Sequence, residues 1–140
     1  MHAKLLMLVT ACVEAATGVC LLLLPSFVFT ILLGLEHPRV ETILVGRLMG
    51  AALLAIGIAS WTARADTLTH AHLALLTGIL VYNVMASMLL AYAGVVLQMT
   101  GVLLWPAVAL HAVLAVWCFS CLRAYGNEPD SFNQESNTGR

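Results

Sequence analysis

Charged residues are scarce in this chain of 140 residues. Only 9% are Asp, Glu, Lys or Arg, whereas 61% are hydrophobic, and the mean hydropathy is +0.97. Soluble domains average about 25% charged and roughly 45–50% apolar residues. A soluble fold of this length could not bury so much apolar surface, so the composition indicates a single domain whose main solvent is lipid.

The chain also lacks a basic surface and the motifs of common enzymes. A formal net charge of −1 leaves no excess of cations to neutralise phosphates, which excludes nucleic acid as a partner. No nucleotide-binding loop, nucleophile elbow or HExxH sequence occurs, so nothing indicates an enzyme. Cys118 and Cys121 form a CxxC, but no second pair completes a zinc site. We predict no metal site and interpret both cysteines as small apolar side chains.

Long apolar runs, by contrast, are abundant. Four of them, at about 5–24, 42–61, 72–92 and 99–122, approach the roughly 20 residues that a membrane-spanning helix needs. A shorter run at 25–34 begins with a proline and ends with a glycine, which is typical of a short helix. We predict that this helix lies at the interface or re-enters the membrane. The alternative is a kinked extension of the first span.

The predicted fold class is therefore an all-α, polytopic four-helix membrane bundle over residues 1–125. The polar segment 126–140 is predicted to be a disordered cytoplasmic tail, because it cannot bury enough apolar area to offset chain entropy. Four spans place both termini and the second loop on one side, with Lys4, Arg64 and Arg123, and leave only Arg39 on the other. The positive-inside rule then predicts that both termini are cytoplasmic.

Two charges of opposite sign lie inside the predicted spans. An ionisable group at that depth costs about 2.5–3.5 kcal/mol on insertion scales. The helical rise places Glu14 about 14 Å from the cytoplasmic end of the first span and Arg47 about 8 Å below the outer surface. Because an Arg side chain is long enough to reach down from its backbone position, we predict a buried Glu14–Arg47 pair.

The other two spans each contribute polar side chains at similar depth. Asn83 and His111 lie in the middle or outer half of the third and fourth spans, with Tyr82 beside them. We predict that these residues join the pair in a buried polar centre, which is either a packing lock or a candidate ligand site. Its ligand could be a quinone head group, a small anion, a haem edge or a proton, and the sequence identifies no cofactor.

Small residues follow one side of the second span. Gly46 and Gly50 form a small-xxx-small element, and Gly57 lies two turns further along. Such residues let helix backbones approach closely in membranes. We therefore predict that Gly46, Gly50 and Gly57 are helix-packing positions.

The stretch Gly46–Arg64, GRLMGAALLAIGIASWTAR, together with the four-span plan, resembles small bacterial four-helix membrane proteins of the DoxX-like kind. Some of those proteins are subunits of quinone-linked redox systems. The resemblance implies a bacterial inner membrane and a quinone-linked partner. No diagnostic motif matches residue by residue, so no catalytic role is carried over.

Three functions fit these features. The first is an accessory or scaffold subunit that docks on other membrane subunits, or on a second copy, through small-residue faces around Gly57 and Gly78. The alternative is a binding protein or enzyme subunit for a lipophilic, quinone-like molecule in the polar centre. Transport ranks third, because four spans are few for an alternating-access carrier and broken-helix signals are limited to Pro25 and Pro106.

Overall fold

The computed structural model describes residues 2–64 and 70–126. Within them the chain is entirely helical apart from its turns, and its helices are α1 (His2–Leu23), α2 (Pro25–Leu33), α3 (Val40–Ala63), α4 (His70–Val95) and α5 (Leu104–Gly126). The four long helices are long and apolar enough to cross a membrane. The predicted all-α class and four spans are thereby confirmed. The predicted tail, beyond Gly126, lies outside the described residues.

The short helix α2 is a separate element rather than an extension of α1. Leu24 leaves the helical region, with φ −131° and ψ 51°, and Pro25 then occupies the first turn of α2, where its missing N–H removes no hydrogen bond. Gly34 ends the helix in the left-handed conformation, with φ 76°, and its N–H contacts the carbonyls of Phe29 and Thr30. Pro25 and Gly34, which the sequence predicted as the ends of a short helix, therefore mark the start and the C-cap of α2.

The last span begins later than the sequence predicted. The apolar run at 99–122 suggested an earlier start, but α5 begins at Leu104. Gln98 takes a left-handed conformation with φ 54°, which breaks the helical path after α4. The Leu103 N–H then donates to the Ile31 carbonyl at 2.9 Å, so this segment crosses α2 before it becomes helical. Hydrophobicity alone could not distinguish such an apolar connection from a helix.

The long helices pack as two close pairs, α1 with α3 and α4 with α5, and α1 also contacts α5. Two apolar clusters form the interior. The first consists of Ala3, Leu6, Met7, Leu76, Ile79, Leu114, Cys118 and Cys121. The second consists of Leu21, Val28, Phe29 and Leu53. Along α1, Glu14 lies between the two clusters.

The outer faces of the long helices are strongly apolar. Exposed large side chains occur on α1, α3, α4 and α5, and they include Val19, Leu44, Leu48, Val81, Leu89, Val113 and Val116. A soluble monomer does not expose apolar surface of this extent. Together with the span lengths, this surface fits a multi-pass membrane protein in a lipid bilayer.

Candidate functional site

Glu14 is the most deeply buried acidic side chain that the structure describes. It is only 1% exposed, and the Tyr82 hydroxyl on α4 donates a hydrogen bond to its Oε2 at 3.2 Å. Its other oxygen, Oε1, is buried and has no hydrogen-bond partner among the described residues. A buried polar oxygen without a partner is costly, so Oε1 marks a place where a donor would be favourable.

Asn83 connects α4 to α5 through a hydrogen-bond network whose donors can be assigned. Its Nδ2 donates to the Ile79 carbonyl at 2.8 Å, and its Oδ1 lies 2.9 Å from His111 Nδ1. Because a carbonyl can only accept, the amide nitrogen must face Ile79 and the amide oxygen must face the histidine. His111 Nδ1 therefore carries a proton, and Nε2 of the neutral ring presents a lone pair.

Tyr82 connects these two parts of the centre. Its hydroxyl contacts Glu14, and its ring meets the His111 ring edge-on, with centroids 5.6 Å apart and an interplanar angle of 86°. Tyr82 and His111 are each half-buried, whereas Glu14 and Asn83 are fully buried. The structure thus brings four predicted site residues together from α1, α4 and α5.

Arg47 does not belong to this centre, and the predicted Glu14–Arg47 pair is wrong. Arg47 is exposed on α3. Within residues 2–64 and 70–126 the ion pair that forms joins Arg39 and Glu41, at 3.7 Å between exposed side chains. The physical reason is the packing of α3, which turns its glycines toward α1 and α2 and leaves Arg47 on the outer side.

Two buried hydroxyls add to the polar interior. Thr10 lies one helical turn before Glu14, and Ser60 lies near the end of α3. Both are fully buried, and their hydroxyl oxygens have no hydrogen-bond partner among the described residues. The i, i+4 spacing from Thr10 to Glu14 was a usable sequence signal. Ser60 carried no comparable signal in an Ala-rich and Ile-rich stretch.

The predicted glycines lie where helix backbones or rings approach closely. A Cβ on Gly50 would come within 2.8 Å of the Gly18 carbonyl oxygen, and one on Gly57 within 2.9 Å of the Ala15 nitrogen. A Cβ on Gly46 would meet the Phe29 ring at 2.6 Å. The backbone of α1 therefore covers Gly57, so this part of α3 offers no surface to a partner.

The polar centre is built from hydrogen-bonding side chains. The described part of the chain contains no group of three or more His, Cys, Asp or Glu side chains that could hold a metal ion. Cys118 and Cys121 lie in the first apolar cluster, where the Cys118 thiol faces the Leu76 carbonyl at 3.6 Å. The polar centre therefore offers one carboxyl, one phenol, one amide and one imidazole.

No protein-family model, curated protein or solved structure matches this chain. The resemblance to DoxX-like proteins consequently stays a prediction, and the geometry supplies the evidence on function.

Proposed function

We propose that this chain is an accessory or scaffold subunit of a larger complex in a bacterial inner membrane, and that α3 is the helix that docks on the partner. The observation that carries the proposal is Arg47, a guanidinium that is exposed on a membrane-spanning helix without an acidic partner in the described part of its own chain. The resemblance to DoxX-like proteins supports a redox complex as the setting.

The depth of Arg47 makes this exposure costly. The residue lies about 10 Å along α3 from Val40, in a helix about 36 Å long. Charged side chains within spans pair with one another, face a polar cavity or extend toward the interface. Since no carboxylate of the described chain contacts Arg47, an acidic group from another molecule would remove that cost.

The surface beside Arg47 suits a helix. Ala51 and Ala55 follow at one and two turns on the same face of α3, and all three residues are exposed. Small residues allow a second helix backbone to approach closely, and a guanidinium can bind a carboxylate through two parallel hydrogen bonds. A phospholipid phosphate could accept the same hydrogen bonds, but it would not require small residues deeper in the span. The face therefore favours a protein partner.

That partner differs from a second, parallel copy of this chain. Among the described acidic residues, Glu14 is buried inside its own bundle, whereas Glu36 and Glu41 are exposed before and at the start of α3. Glu41 lies about 9 Å closer to the N-terminal end of α3 than Arg47 does. A parallel copy would thus place Arg47 opposite its own equivalent. We infer a different subunit whose span carries Asp or Glu about two turns below the same surface.

The test uses tagged protein extracted gently from its native membrane. We expect the wild-type chain to migrate on native gels in a complex larger than itself, and Arg47→Met to release it. Arg39→Met is the matched control, because it removes the same charge from an exposed position outside the span. A reversed pair, Arg47→Glu with Asp or Glu→Arg in the partner span, should restore the complex.

Two outcomes would contradict the proposal. One is a complex of unchanged size in Arg47→Met. The other is a purified wild-type chain that carries only tightly held anionic phospholipid and loses it in Arg47→Met, since that result would assign Arg47 to a phosphate.

A further inference from the structure

We infer that the polar centre is a binding site for a lipophilic molecule that carries a hydrogen-bond donor, either a hydroxyl or an ammonium group. This inference does not depend on the docking role of α3, because it concerns Glu14, Tyr82 and His111 on the other helices. Three features of the centre carry it: its vacant acceptors, the absence of a donor on Glu14 Oε1, and the depth of its partly exposed rings in the spans.

The vacant atoms of Glu14 and His111 are acceptors. Glu14 Oε1 has no partner among the described residues, and His111 Nε2 presents a lone pair because Nδ1 is committed to Asn83. Both polar atoms of the Asn83 amide already have a partner, the nitrogen on Ile79 and the oxygen on His111. A ligand would therefore gain hydrogen bonds here by donating them.

The described helices around the centre do not supply the missing donor. The buried hydroxyls of Thr10 on α1 and Ser60 on α3 make no hydrogen bond to Glu14 Oε1. From α4, the Tyr82 hydroxyl is used on Oε2, and α2 carries no titratable side chain. Arg47, the cation that the sequence suggested, is exposed on the outer side of α3. The carboxyl is thus buried without a compensating cation.

The half-buried flank of the centre lies in the middle of the spans. Tyr82 lies about 18 Å along α4, a helix about 39 Å long. Its ring and that of His111 are the partly exposed members of the centre, so in a bilayer this flank faces the hydrocarbon region. A molecule that arrives there must be lipophilic. The Tyr82 hydroxyl takes only Glu14 Oε2, at 3.2 Å, so Oε1 stays available to a ligand donor.

The experiment measures saturable binding to the purified full-length chain in lipid nanodiscs, by equilibrium dialysis, with partition into empty nanodiscs subtracted. The probes are 4-nonylphenol, which carries a hydroxyl donor, dodecylamine, which carries an ammonium donor, and 4-nonylanisole, which has the tail and ring of the phenol but no donor. We expect a donor probe to saturate at one molecule per chain and the anisole to show partition only.

Substitutions locate the site. His111→Phe should weaken binding of the donor probe about tenfold, the equivalent of one lost hydrogen bond. Thr77→Val, which removes a hydroxyl from the exposed side of α4, should leave binding unchanged.

Glu14→Gln separates the two ligand classes. A selective loss of dodecylamine binding assigns an ammonium ligand, and equal effects on both donor probes assign a hydroxyl ligand.

Tyr82→Phe provides a test that a misfolded protein cannot imitate. It removes the other donor on the Glu14 carboxyl and keeps the ring, so the carboxyl becomes a stronger acceptor and the donor probe should bind more tightly. The inference is overturned if neither donor probe saturates, if the anisole binds as well as the phenol, or if His111→Phe and Glu14→Gln both leave affinity unchanged. Because only the purified chain with native Arg47 is used, failure here leaves the docking proposal intact.

Discussion

At the scale of single residues, hydrogen bonds between side chains of different helices join the interior of this bundle. Tyr82 donates to Glu14 between α4 and α1, and Asn83 accepts from His111 between α4 and α5. Polar contacts between membrane helices average only about 0.6 kcal/mol when measured. Their main effect is therefore on which helix faces meet, and their contribution to stability is modest but measurable.

Asn83 and Tyr82 should both contribute to stability. We expect Asn83→Leu to lower the free energy of unfolding by roughly 1–2 kcal/mol, because it leaves the His111 Nδ1–H without its acceptor. Tyr82→Phe should lower it by roughly 1–3 kcal/mol, because it removes the one hydrogen bond that the described residues make to the fully buried Glu14 carboxyl. Unfolding in mixed micelles with increasing SDS, followed by circular dichroism, gives both values. Thr77→Val is the control, and an Asn83→Leu protein as stable as the wild type would contradict the network.

Glu14 and Arg47 should behave as independent residues in the isolated chain. Since Arg47 is exposed and outside the polar centre, we expect Arg47→Met to lower the unfolding free energy of the purified protein by no more than about 0.5 kcal/mol. In a double-mutant cycle with Glu14→Gln, the coupling energy should lie within about 0.3–0.5 kcal/mol of zero. A coupling of 1 kcal/mol or more, as for a buried ion pair, would restore the partnership that the sequence suggested.

At the scale of elements, α1 and α3 pack backbone to backbone. Gly18 and Gly50 face each other so closely that a Cβ on either would come within 2.8 Å of the other's carbonyl oxygen. Real Cβ atoms do not tolerate such a distance, so the helices would have to separate. This contact also orients α3, because the glycine side must face inward and Arg47 must then face outward.

A pair of glycine substitutions tests this packing. Gly50→Ala should destabilise the purified protein by about 1–3 kcal/mol, because the added methyl group overlaps the α1 backbone. Gly78→Ala is the matched control on α4, since nothing lies within 4 Å of the position where its Cβ would stand. It should be neutral or stabilise by up to about 1 kcal/mol through helix propensity. The same SDS titration measures both, and equal effects would refute the close approach of α1 and α3.

At the scale of the whole molecule, the described residues form four long apolar helices in two pairs, and their outward apolar side chains fit a lipid environment. An even number of spans puts both ends of the bundle on the same side of the membrane. The end of α3 carries an anchor typical of an interface, where the Arg64 guanidinium lies 3.3 Å from the centroid of a Trp61 ring. Lys4, Arg64 and Arg123 belong to this side, and the charge bias predicts that it is cytoplasmic.

Reporter fusions check that orientation. Green fluorescent protein fused after Arg140 should fluoresce in a bacterial host, and alkaline phosphatase fused at the same position should be inactive. Both reporters fused into the loop at Glu36–Arg39 should give the opposite pattern. An active phosphatase at the C-terminus would reverse the predicted topology.

Much of the fold could be read from the chain because it depends on local properties. Apolar run length identified four spans, and Pro25 and Gly34 marked the ends of α2, since each restricts or permits a specific backbone geometry. The start of α5 was missed because residues 96–103 are as apolar as a span but cross α2 instead. Asn83, Tyr82 and His111 were found because polar residues in apolar helices are rare and face inward.

The sequence by itself determined that this protein is a helical membrane bundle, because bilayer thickness and the cost of burying polar groups act on each segment separately. Only the tertiary structure decided which polar residues meet. Glu14 pairs with a phenol from α4 rather than with Arg47, because the glycines of α3 pack against α1 and α2 and turn the arginine outward. The rotation of one helix relative to its neighbours is a property of packing, and charge complementarity within a single sequence does not specify it.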